Sequence, residues 1–95
     1  MDLTAAIHRL SIAAHAGTGA SAGAATVLLF AWNSVHPMRG LLSLDGDNRL
    51  AALIVIEAAL DYDFDCEREV ETSVGHSNMQ ALAREYGVEG TAWAR

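Results

Sequence analysis

The densest chemistry in this sequence lies between positions 61 and 71. Asp61, Asp63, Asp65, Glu67, Glu69 and Glu71 fall on one parity, while Tyr62, Phe64, Cys66, Arg68 and Val70 fall on the other. Carboxylates at that density can ligate a cation, act as acid and base, or present a charged surface to a basic partner. The three aspartates match the opening ligand positions of a calcium-binding loop, which then needs Gly at its sixth position and Glu at its twelfth. Cys66 and Thr72 stand there instead, so calcium is not expected. Period two is a strand signature, and a strand here would carry one wholly acidic face. A lone strand in a helical chain has nothing to pair with. The run is therefore read as a loop entering a helix near Cys66. Its six acids are the candidate partner-binding residues, presented to a protein with a basic surface.

Other constellations carry less. Cys66 is the one cysteine, so no disulfide forms within the chain and a reducing cytoplasm fits. Its acidic neighbours raise a thiol pKa, the wrong direction for a nucleophile. His8, His15, His36 and His76 are scattered, without the i, i+4 spacing or short cysteine spacing of a zinc site. Gly17-Thr18-Gly19-Ala20-Ser21-Ala22 matches a relaxed dinucleotide fingerprint, but that motif needs a strand before it, and a helix is expected there. No cofactor, metal or catalytic residue is assigned, and the protein is read as non-enzymatic.

The elements that position these residues are helical. Residues 2–16 place Leu3, Ile7, Leu10 and Ala14 on one stripe, with His8, Arg9 and Ser11 off it. A central helix over about 18–36 follows, with Thr18 or Ser21 as its cap and Pro37 as its stop. It places Ala24, Leu28, Ala31 and Val35 on one face, with Ala25, Leu29, Trp32 and His36 beside it. So wide an apolar surface belongs to a helix surrounded by others. Gly19 and Gly23, among alanines, suit close helix pairing within or between chains, and a homodimer is expected. Leu41-Leu42-Ser43-Leu44 is expected as one turn lying over the core. Asp47 is expected to cap a third helix to about Leu60, burying Leu50, Leu53, Ile54 and Ile56. Ser77 to Gln80 fits a capping box for a last helix through Met79, Leu82, Ala83 and Tyr86, closed by Gly87 and Val88.

Ninety-five residues suit a single domain, 1–95. A formal net charge of −6 argues against binding the phosphate backbone of nucleic acid and leaves basic proteins as partners. The start of the chain lacks a basic region and a clear apolar core, so no signal peptide is read. Residues 16–32 approach membrane-spanning length but are diluted by Gly, Ser and Thr. No membrane span is assigned.

Two resemblances add to this. Residues 79–88 followed by Thr91-Ala92-Trp93-Ala94-Arg95 resemble a bacterial helix-turn-helix, with Ala83, Gly87, Val88 and Trp93 at its buried-alanine, turn-glycine and packed apolar positions. That implies a DNA-binding regulator whose second helix, from about Gly90, enters the major groove. Glu89 stands where a basic or hydroxyl residue is usual, and a structural helix-turn is the plainer reading. Thr18-Gly19, then Val27-Leu28-Leu29-Phe30-Ala31-Trp32-Asn33, then the Asp47-led helix resemble a family of small uncharacterised proteins on bacterial conjugative elements and plasmids. This resemblance implies a helical fold and a mobile-element origin. The joint expectation is an all-α bundle of four to five helices. Its expected function is a protein-binding module of a phage or mobile element, such as an anti-CRISPR-like inhibitor of a defence complex.

Overall fold

The computed structural model describes residues 1–87 and contains five α-helices and one 3-10 turn. The helices are α1 (Leu3–His15), α2 (Ser21–Trp32), α3 (Gly46–Ala59), α4 (Cys66–Val74) and α5 (His76–Tyr86), with the 3-10 turn at Leu41–Ser43. The described residues form no strand. The all-α bundle around a central apolar helix is borne out.

α2 is that centre. Ten of its twelve residues are buried; Ala22 and Phe30 are half-buried. Such a helix has no face to offer water, so it must be covered on every side. α1, α3, α4, α5 and the 3-10 turn all touch it. One side is covered by a loop rather than a helix, and there the small residues decide. A Cβ on Gly23 would lie 2.6 Å from the Gly40 carbonyl oxygen, so only glycine permits this approach. One turn on, the buried Thr26 hydroxyl accepts from Arg39 N at 3.1 Å and lies 2.9 Å from Arg39 O. That single hydroxyl satisfies both backbone groups of a loop residue that would otherwise lose water. Gly23 is thus used within the chain, between helix and loop. Gly19 has open space where a Cβ would stand, so it makes no close approach.

α2 is shorter than the 18–36 expected. Its first residue is Ser21, whose hydroxyl accepts from Thr18 N at 3.0 Å and donates to Ala13 O at 2.8 Å, tying it to the end of α1. The N-cap position is Ala20, without a side-chain cap. At the other end the backbone becomes extended at Asn33, four residues before Pro37. The chain then folds back so that the His36 ring stacks on Trp32 at 6.3 Å. His36 is buried and Val35, expected on the buried face, is exposed.

α3 also departs from expectation, for a packing reason. It buries Ala51, Ala52 and Val55, leaving Leu50 and Leu53 exposed and Ile54 and Ile56 half-buried. α1 runs antiparallel to it: Arg9 Nε donates to Asn48 Oδ1 at 3.3 Å, while Leu3 shares a cleft with Ile54 and Ala58. Small residues on the shared face let the two helices approach closely, because side-chain size sets the interaxial distance. The N-cap of α3 is Asp45, and Asp47 sits in the first turn, where a carboxylate suits the helix dipole. α5 starts two residues earlier than the capping box implies, with Gly75 at φ +100° rather than Ser77 as its N-cap, and that N-cap makes no side-chain hydrogen bond. Met79, Leu82 and Ala83 are buried as expected. Gly87 ends α5 by donating to Ala83 O, and a Cβ there would meet the His36 ring at 2.7 Å. Val88 and the second helix of the helix-turn-helix reading lie outside the described residues. No described helix is long and apolar enough to cross a membrane.

Trp32 is 2% exposed, with His36 on one side and the edge-on ring of His76 at 6.0 Å. Trp32→Ala should therefore cost ~3–5 kcal/mol in urea or thermal denaturation. Gly23→Ala should cost ~1–3 kcal/mol by forcing the Gly40 loop away. An unchanged midpoint in either variant would place the core elsewhere.

Candidate interaction surface

The acidic run divides at Asp65. From Leu60 the chain leaves α3 and makes a turn built by its own carboxylates. Asp61 Oδ1 accepts from Asp63 N at 3.0 Å, and Asp61 O accepts from Phe64 N at 3.1 Å. An aspartate bonding the backbone two residues on is a standard turn former. Asp65 then caps α4, its Oδ1 accepting from Arg68 N at 3.0 Å. The expected loop entering a helix near Cys66 is what the structure contains.

Within this frame the six acids do not share one face. Asp61, Asp63 and Asp65 are exposed on the turn. Helical geometry sets Glu67 and Glu71 about 40° apart on α4, whereas Glu69 lies about 200° from Glu67. Glu71 pairs with the His76 ring at the start of α5. Asp65, Glu67 and Glu71 come together along a cleft of about 520 Å³ that also includes Arg68, Thr72 and His76. Glu69 stays outside this group.

A second cleft, of about 300 Å³, runs along the other flank of the same ridge. It is lined by Phe30, Trp32, Asn33 and Phe64 together with Asp65, Cys66 and Glu67. Asp65 and Glu67 therefore border both clefts. Aromatic rings beside two carboxylates are the chemistry that holds a guanidinium: the ring faces attract the cation and the carboxylates accept its N–H groups. Tyr62, between Asp61 and Asp63, is 99% exposed. A tyrosine wholly in water contributes nothing to the fold, and exposed aromatics are the residues that anchor protein interfaces. The sequence pattern singled out the acids and passed over Tyr62, Phe64 and Phe30. For the first two a signal was present, since two aromatics alternating with acids in a loop have no core to enter.

Residues 4–87 match the family described as "Family of unknown function (DUF7673)". The chain belongs to the DUF7673 family. The match runs from the first turn of α1 through the end of α5 and so includes the acidic turn and both clefts. Its description names neither mobile elements nor a helix-turn-helix. No curated protein and no solved structure matches the chain.

Cys66 opens α4 in this DUF7673 chain and is buried, although it borders the aromatic cleft. Burial, then the nearby Glu69 and Asp65 carboxylates, push its thiol up to about 11. The acidic neighbours act in the expected direction, but desolvation is the larger cause. At pH 8.5 the native thiol should react with iodoacetamide on the order of 100-fold more slowly than the urea-unfolded chain. The folded state also holds this proton above the pH at which the unfolded thiol loses it. Stability should therefore fall as pH rises from about 9 toward 11, and Cys66→Ser should flatten that fall. Equal alkylation rates in the folded and unfolded states would contradict this setting for the thiol.

Proposed function

We propose that the protein is a non-catalytic binding module that engages a basic protein surface through the turn 60–65 and the first turn of α4. The observation that carries this reading is the cleft in which Phe30 and Phe64 stand beside Asp65 and Glu67. An arginine of the partner fits such a site, with Tyr62 and the remaining aspartates meeting the surrounding surface. The turn is braced by its own hydrogen bonds and by the cap of α4, so little ordering cost attends binding. Net charge of −6 favours fast encounter with a positive partner. The resemblance to proteins of conjugative elements extends the reading to a mobile-element inhibitor that covers a basic nucleic-acid groove of a host complex. An anti-CRISPR role is one instance.

Affinity capture from host lysate with three forms of the protein tests this reading. Wild type should recover a partner. Asp61→Asn, Asp63→Asn and Asp65→Asn combined, which keep the oxygens that accept from Asp63 N and Arg68 N but remove three charges, should slow association with that partner by about tenfold. Phe64→Ala should weaken the complex mainly by speeding its dissociation. All three forms should keep the same helical circular dichroism. A recovered partner indifferent to both variants, or no partner at all, would count against the reading.

A further inference from the structure

The outer face of α3 carries an apolar stripe that is largely open to solvent. Leu53 is 57% exposed, Leu50 and Leu60 are also exposed, and Leu60 continues the helical path as the C-cap. At about 100° per residue these leucines, with Arg49 and Glu57, fall within about 100° of arc opposite the buried Ala51, Ala52 and Val55. Arg49 and Glu57 lie eight residues apart, roughly 12 Å along the helix, too far to pair with each other. Among the described residues neither one is in an ion pair.

The spacing is self-complementary. In an antiparallel contact between two copies about a two-fold axis, residues equally far before and after the axis face each other. With the axis at Leu53, Arg49 of each copy meets Glu57 of the other, four residues to either side. Seven residues to either side, Leu60 meets Gly46. A Cβ on Gly46 would have nothing within 4 Å, so this end of α3 leaves room for an incoming leucine. One axis thus satisfies a charge pair and a size pair at once, each twice over. We propose that the α3 stripe seats a second copy of the chain in this antiparallel arrangement. The inference does not depend on the acidic turn as a binding surface. It also relocates the dimer contact from Gly19 and Gly23 to α3. A standard stable interface buries about 800 Å² on each partner, and three partly exposed leucines with their charged flanks are modest beside that. The dimer is therefore weak, with a Kd in the micromolar range.

Sedimentation equilibrium on the full chain, at concentrations up to about 0.5 mM, reads this directly. Wild type should show a monomer–dimer equilibrium. Leu53→Asp puts two carboxylates at the axis and should leave a monomer throughout. Arg49→Glu and Glu57→Arg should each raise the Kd about tenfold, and the double variant should restore it to within about threefold of wild type. All three substitutions sit on exposed positions, so circular dichroism should be unchanged. A wild type that stays monomeric, a dimer indifferent to Leu53→Asp, or a double variant no better than its singles would overturn the proposal.

Discussion

Everything in this fold depends on the absence of a polar face on α2. Val27, Leu28, Leu29 and Trp32 cannot all point toward one neighbour, because successive residues turn about 100° around the helix. Each direction needs its own cover, and four helices and a loop supply it. Where the cover is a helix, large side chains interlock. Where it is the loop around Gly40, Gly23 and Thr26 replace bulk with a backbone approach and two hydrogen bonds. The second arrangement lets an apolar helix accept a polar strip of chain without stranding its amide groups.

The same demand accounts for what lies outside. α1 closes on α3 through alanines, and that closeness leaves α3's leucines with nowhere to go but solvent. An alanine-rich core therefore produces a leucine-bearing surface, the reverse of the usual sorting by side-chain size. The acidic turn between α3 and α4 has a related origin. Asp61 and Asp65 shape the turn and cap α4 with one oxygen each, so their structural duty leaves the second carboxylate oxygen available to a ligand. Structure and surface chemistry here share the same residues.

Sequence revealed the elements whose evidence is local. The apolar run ending at Trp32 marks a buried helix because no other arrangement hides it. The alternation from Asp61 resolves to a loop and a helix because a strand would have no partner. Sequence misassigned the face of α3, because Leu50 and Leu53 on one side and Ala51, Ala52 and Val55 on the other are both apolar. Only the distance to α1 decides between them. The end of α2 was misplaced for a similar reason: Pro37 marks the last residue a helix can reach, whereas the stacking of His36 on Trp32 sets where this one stops. The aromatic cleft joins Phe30 to Phe64 across thirty-four positions and is visible only once the chain is folded.

Native-state hydrogen exchange measured residue by residue tests the enclosure of α2 most directly. If α2 is covered on every side, its amides from Ala25 to Trp32 should exchange only through global unfolding, with protection equal to the stability found by denaturant. The exposed turn 60–65 should exchange fastest among the described loops. An α2 whose amides exchange faster than those of α1 or α3 would contradict the account.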